Sequence, residues 1–344
     1  YEHCVRTIKL SLRSGVHGLP LIGSGDWNDG MDLVGNKGKG ESVWLAFFLY
    51  DILIRFAEIS KNLDNDFATT CLLEASTLQK NIETFGWDGE WYKRAYFDDG
   101  TPLGSKENNE CRIDAIAQSW SVLSNAGDPK RKLTAMDSLD RNLVNRELKL
   151  IQLLDPPFDA DGLNPGYIKG YVPGVRENGG QYSHAAIWSL MAFAKLGQRE
   201  KVWELFSMVQ PINHALNPVD VNIYKVEPYV MAADVYANVS HKGRGGWTWY
   251  TGSSGWMYQF IIGSLVGMKL EGDQLTFKPC FPLDWPHVTL TYRYKSSVYK
   301  IQIHQLIEAE ESYWEMGDAQ GKGDTITLLD DGTEKEVSIY IATS

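Results

Sequence analysis

The sequence predicts a mostly helical chain, a helical toroid followed by a small antiparallel β-sandwich. Three observations carry that prediction. Apolar residues recur at helical spacing over residues 42–61, 66–84, 113–125, 130–145, 183–196, 201–209 and 255–267, the mark of helices with one face turned inward. Successive members of the series, 42–61 with 66–84 and 113–125 with 130–145, are separated only by short polar turns, as in antiparallel helix hairpins. From about Met268 the period changes to two. KLEGDQLTFKPCFP, HVTLTYRYKSSVYKIQIHQ and DTITLLDDGTEKEVSIYIAT alternate apolar and polar residues between Gly, Asp and Pro turns. That is strand patterning, with DDGT expected to close a hairpin.

The helix boundaries carry their own punctuation. Asp128-Pro129 supplies a cap residue and a Pro at the first helical position, and Gly197 follows residues 183–196 as a stop. Helix pairs returning at irregular intervals suggest a toroid. Between them lie long segments rich in Gly, Pro, Trp and Asp: 86–109, 154–181 and 238–254. Loops of that length in a compact domain are usually functional. The chain opens YEHCVRTIKLSL, in a helical pattern and without Met, so a fragment, or one half of a longer enzyme, is expected.

Composition narrows the function. A net charge of −11 argues against nucleic acid or an anionic membrane as partner, since both require a basic face. No apolar run reaches the length of a membrane span. Four scattered cysteines, Cys4, Cys71, Cys111 and Cys280, read as buried free thiols in a reducing, cytoplasmic setting. Twelve Trp and 17 Tyr, many beside Gly or Asp, suit the C–H faces of sugars, although Trp is also a large core residue.

Four segments could carry chemistry. In LPLIGSGDWNDGMDLVG, Asp26, Asp29 and Asp32 recur every third residue around Trp27. A helix-loop-helix calcium site counted from Asp26 fails: Gly30 offers no ligand at position 5, Met31 takes the obligatory glycine position and Lys37 that of the bidentate Glu. Alone, Asp26 or Asp29 equally caps a turn. Trp27 beside Asp29 favours a sugar-facing ring next to a carboxylate able to protonate a glycosidic oxygen. In VPGVRENGGQYSHAAIWSLMA, Arg176 and Glu177 precede two glycines and His184 enters a helix. A first helical turn favours anions; an isolated His is more often a core residue. In HKGRGGWTWYTGSSGWMYQF, Thr251, Gly252 and the following serines lead into a helix without P-loop spacing. Residues 87–105, WDGEWYKRAYFDDGTPLGS, read as a hairpin projecting from a helical body.

Together GSGDWNDGM, RIDAIAQSW, VRENGGQYSHAAIW, VEPYVMAADVY and GRGGWTWYTGSSGWMY resemble the inverting glycoside phosphorylases of glycoside hydrolase family 94. Among these the 1,2-β-oligoglucan phosphorylases and the phosphorylase-like region of cyclic β-1,2-glucan synthases are most alike. The resemblance implies the C-terminal part of an (α/α)6 catalytic toroid over residues 1–267 and a β-sandwich over 268–344. It implies Asp29 as general acid, Trp27, Arg176 and Glu177 as donor-sugar contacts, and His184, Thr251 and Gly252 as phosphate contacts. No metal or cofactor is implied; inorganic phosphate is the co-substrate. The implied partners are a β-glucan oligosaccharide, phosphate, the remaining N-terminal half of the same protein, which in the family supplies a further phosphate-contacting Arg, and a second copy as a homodimer. Two departures stand out: Arg176 where cellobiose phosphorylases have Lys, and an Ala-Ala-Asp run where the family has a Gln near E-P-Y-V.

One acid suffices for such chemistry. Inverting hydrolysis needs a second carboxylate to activate water on the opposite ring face, whereas phosphate is already an anionic nucleophile. An inverting hydrolase with Glu177 as base, and a non-catalytic glucan-binding or chain-length-controlling module, are the alternatives.

Overall fold

The computed structural model describes residues 1–160, 162–307 and 309–343; Asp161, Glu308 and Ser344 lie outside the described residues. Most helices start where a side chain takes up an orphan N–H of the first turn. Ser42 accepts from the Leu45 N–H at 2.9 Å and opens Val43–Ser60. Asp64, Asp114 and Asp128 open Asn65–Asn81, Ala115–Leu123 and Pro129–Leu143 in the same way. With Glu2–Ser11, Ser183–Lys195, Arg199–Val209, Pro218–Tyr224 and Thr251–Gln259 there are nine α-helices among the described residues. The chain divides into two compact units, Tyr1–Ala192 with Ser207–Ser254, and Phe193–Phe206 with Gly255–Ser344.

Within the first unit, Val43–Ser60 packs against Asn65–Asn81 and Ala115–Leu123. It buries Trp44, Phe47 and Leu53. A second apolar cluster joins Met31, Val34, Leu103, Phe158 and Ile168, and so anchors the segment after Asp29 in the interior.

Several boundaries differ from the sequence reading. The helix expected over 113–125 starts at Ala115, because Ile113–Asp114 pairs as a short strand with Leu154–Asp155. The one expected over 66–84 ends as α-helix at Asn81 and continues as a π-turn, Ile82–Gly86. The one expected from Gly255 starts at Thr251, where the Ser254 N–H reaches the Tyr250 carbonyl. Pro218–Tyr224, absent from the sequence reading, is capped by Asn217 with Pro218 at its first position. Residues 87–105 do not project. Their strands Ala95–Tyr96 and Pro102–Leu103 join Glu41–Ser42 in a three-stranded sheet. Tyr92, Arg94, Ala95 and Leu103 are fully buried, and the Trp91 indole donates to the Gly104 and Arg112 carbonyls. Cys4 is exposed, whereas Cys71, Cys111 and Cys280 are buried; all four are free thiols.

The second unit holds two sheets. Met268–Glu271, Gln274–Phe277 and Thr325–Thr327 form an antiparallel three-stranded sheet. The other runs in the order Val288–Tyr294, Ser297–Ile307, Glu334–Thr343, Tyr313–Met316, Ala319–Lys322. The β region is not wholly antiparallel, since Ser297–Ile307 and Glu334–Thr343 pair in parallel, with Ile301 opposite Val337. Nor does Asp330-Asp331-Gly332-Thr333 close a hairpin. The strands on either side of it belong to different sheets. The Asp331 and Gly332 N–H groups donate to Ser297 Oγ at 3.0 and 3.1 Å, which ties the turn to the start of a third strand. No helix among the described residues is long and apolar enough to cross a membrane.

Candidate active site

The three carboxylates of residues 26–32 do three different things. The Asp26 side chain is fully buried and both its oxygens meet the Arg94 guanidinium at 2.6 Å. It also accepts from Ser42 Oγ at 2.6 Å and from the Asn28 N–H at 3.0 Å. Burial pushes its carboxyl up, but the guanidinium and these donors outweigh burial and hold it below the usual carboxylate range. Asp114 lies 3.4 Å from the same guanidinium, and burial drives it to about 6. Asp32, the third carboxylate, accepts the Tyr167 N–H at 3.0 Å.

Asp29 lies between them and is the one turned outward. Asn28 caps the short 3-10 turn Asp29–Met31 by accepting the Gly30 N–H, while Gly30 and Met31 are buried. That leaves the Asp29 carboxylate exposed on the rim of an anchored turn.

The cavity beside it is about 350 Å³. Trp27, Asp29, Glu177 and His184, four of the residues singled out in the sequence, line it together. Asp26, Asn28, Tyr182 and Tyr250 complete the lining. Trp27 meets Tyr182 and His184 edge-on at 5.5 and 5.3 Å and Trp188 at 5.4 Å. Its ring is therefore part of an aromatic cluster as well as a cavity wall. The Tyr182 and Tyr250 hydroxyls are 3.1 Å apart.

His184 is the second residue of the helix Ser183–Lys195. Burial lowers its imidazole to about 4, so at neutral pH it is uncharged. An anion beside it would be held by hydrogen bonding and the helix N-terminus rather than by an imidazolium.

Arg176 and Glu177 occupy a built turn. Arg176 has φ +52°, and its backbone N–H donates to Asp234 Oδ2 at 2.9 Å. The guanidinium lies between the Tyr171 and Trp247 rings, at 4.9 and 5.3 Å, with Nε 3.3 Å from Glu177 Oε2. Asp234 is buried in the strand pair Gln181–Tyr182 with Asp234–Val235, and burial raises its carboxyl to about 6. It comes from the Ala-Ala-Asp run, whose role the sequence did not reveal. Arg176, Thr251 and Gly252 are not among the cavity-lining residues. Thr251 and Gly252 are exposed in the first turn of Thr251–Gln259, directly after the lining residue Tyr250.

Comparison with known proteins places this site in a family. Residues 1–267 match the catalytic domain of the glycosyl hydrolase 94 superfamily. The cyclic β-(1,2)-glucan synthase NdvB of Rhizobium meliloti (strain 1021) is 48% identical over 88% of this chain, which spans 11% of that protein. Solabiose phosphorylase of Paenibacillus borealis is 29% identical over 98% of this chain, which spans 44% of it. The chain thus covers less than half the length of either relative. A solved structure of a sialidase superposes with a TM-score of 0.59 at 14% identity, covering 84% of this chain and 26% of the other, a likeness of fold alone. The chain belongs to the glycosyl hydrolase 94 superfamily.

Proposed function

We propose that this chain carries the acid and the nucleophile-holding groups of an inverting glycoside phosphorylase acting on β-linked gluco-oligosaccharides, with β-1,2-glucan as substrate. The observation that carries the reading is the single cavity lined by Asp29, Trp27, Glu177 and His184. Asp29 protonates the leaving glycosidic oxygen as the C1–O bond breaks. A phosphate oxygen attacks C1 from the opposite face, and α-glucose 1-phosphate forms with inversion. A neutral His184 at a helix start donates to phosphate without taking its proton, and Thr251 and Gly252 add donors from the neighbouring helix start. The preference for β-1,2 linkages is taken from the name of the glucan synthase relative. We place residues 1–267 as the C-terminal part of an (α/α)6 toroid and 268–344 as the β domain, working with the rest of the protein in the cytoplasm.

Glu177 lies 3.3 Å from Arg176 Nε, which favours holding sugar over acting as a base for water. A second reading, a glucan-handling or chain-length-controlling module of a larger synthase, is favoured by the 48% identity to a protein of which this chain spans 11%. Short β-1,2-glucans incubated with the complete protein, with and without phosphate, separate these readings. Phosphate-dependent release of α-glucose 1-phosphate is expected. Free glucose without phosphate would establish the hydrolase instead, and saturable binding with no product the module.

A further inference from the structure

The residues just before two helix starts meet in the candidate cavity. Tyr182 precedes Ser183–Lys195 and Tyr250 precedes Thr251–Gln259. Their hydroxyls lie 3.1 Å apart, with the rings edge-on at 6.4 Å, and both residues line the cavity. Each is held from behind. Tyr182 is buried, pairs with Asp234 across two strands and meets Trp27 edge-on at 5.5 Å. The Tyr250 N–H donates to the Met231 carbonyl at 3.3 Å, and the Tyr250 carbonyl accepts the Ser254 N–H and the Ser253 hydroxyl, each at 3.1 Å. The hydroxyl contact thus ties one helix start to the other.

The cavity is short of positive charge. Among the described residues neither a lysine nor an arginine lines it, whereas Asp29 and Glu177 do. An anion entering there is held by neutral donors and by the N–H groups of helix starts. Two phenols in contact supply such a donor. One O–H is directed to the neighbouring oxygen and the other remains free, strengthened because hydrogen bonds in a chain polarise one another. Burial first, and then the bond to Tyr250 and the charge of Glu177, raise the Tyr182 phenol above its ordinary value, so its proton stays on. A further donor stands at the same cavity. Asn28 is 2% exposed and lines it; its Oδ1 accepts the Gly30 N–H, and its Nδ2 is buried without a partner among the described residues. Such a donor is costly until an acceptor arrives, and a tetrahedral oxyanion carries acceptors on every side.

We propose that the Tyr182–Tyr250 hydroxyl pair is part of the phosphate site: it donates one O–H to an oxygen of inorganic phosphate held between the starts of Ser183–Lys195 and Thr251–Gln259. This rests on the reading of the cavity as that of a phosphorylase. The pair holds the nucleophile and forms no bond to carbon or phosphorus. It also keeps the two helix starts at one spacing, so that the N–H groups of both face the same ion.

Tyr182→Phe and Tyr250→Phe each leave one hydroxyl. The double variant leaves none, keeps both rings and strands no partner, so thermal unfolding should stay near parental. Tyr250 is only half-buried, and Tyr250→Phe alone serves should the double variant unfold. In the complete protein each single substitution should raise KM for phosphate about 3-fold and the double about 10-fold or more, with KM for glucan changed less than about twofold. Titration with inorganic phosphate in the absence of glucan should show the same weakening. A merely structural role would lower kcat or Tm and leave phosphate affinity parental. Parental phosphate affinity in the double variant overturns the proposal. So does a rise in glucan KM as large as that in phosphate KM, which would give the pair to the sugar. His184→Ala, measured alongside, separates the two claims. If it weakens phosphate while the double variant is silent, the phosphate site stands and the pair falls; if the parent cleaves glucan without phosphate, the reading as a phosphorylase falls.

Discussion

Arg94 holds both carboxylate oxygens of Asp26 at 2.6 Å inside the protein, with neither side chain reaching solvent. Asp29, by contrast, stands exposed one short turn later. Two aspartates of one D-W-N-D segment are thus divided, one paired and buried by a single guanidinium and one left exposed.

The division predicts opposite phenotypes. Asp26→Asn leaves Arg94 buried with its main partner neutral, and breaking a buried pair costs about 3–5 kcal/mol. Thermal unfolding should report that loss. Asp29→Asn should unfold like the parent and lose roughly 10²–10⁴-fold in phosphorolysis rate. An Asp26→Asn protein of parental stability would show that the Arg94 pair contributes little.

This division was half legible in the sequence. The D-W-N-D, R-E-N-G-G and His184 segments are local, and each places its residue on the cavity through its own turn or helix. Asp26 could not be told from Asp29 in that way, because Arg94 lies 68 residues further along. Asp234 and Tyr167 were missed for the same reason. Asp234 reaches Arg176 through the strand pairing of Tyr182 with Asp234, and the Tyr167 N–H reaches Asp32 where two short turns meet. The Gly-Ser run at 252–255 read as loop because glycine and serine disfavour helix interiors, yet the Tyr250 carbonyl starts a helix there. Parallel pairing of Ser297–Ile307 with Glu334–Thr343 was hidden because alternation fixes which face is buried, not strand direction.

Trp27 shares its ring between cavity and aromatic cluster, so Trp27→Ala should lower both sugar affinity and stability. Donor-sugar KM should rise about 10-fold, or ~1.4 kcal/mol, with a drop in Tm as the ring contacts to Tyr182, His184 and Trp188 disappear. Trp44→Ala, which removes a buried ring outside the cavity lining, should lower Tm alone. Unchanged sugar KM in Trp27→Ala would assign that ring to the core.

His184 makes stability depend on pH in a definite direction. Its folded value, about 4, lies below the ordinary 6.5 because burial disfavours the charged ring. The unfolded chain therefore binds more protons between those values, and stability falls as pH drops from about 6.5 toward 4. Urea unfolding of the parent and of His184→Gln across that window should show a smaller loss in the variant. Equal slopes would mean that the imidazole stays solvated.

Asp234 holds the Arg176 turn. Its carboxylate holds the Arg176 N–H at 2.9 Å while that residue keeps φ +52°, a left-handed backbone that a side-chain-bearing residue adopts only when its surroundings compel it. Asp234→Ala removes the acceptor and leaves the turn free to relax, carrying Arg176 out of its place between Tyr171 and Trp247 and Glu177 away from the cavity. Glucan KM should rise about 10-fold while phosphate KM, on the proposed phosphate site at the His184 helix start, should stay near parental. Gly246→Ala should give the same phenotype from the other side, because a Cβ there would collide with the Asp234 carboxylate. If both variants raise phosphate KM instead, the Arg176 turn serves the nucleophile and not the sugar.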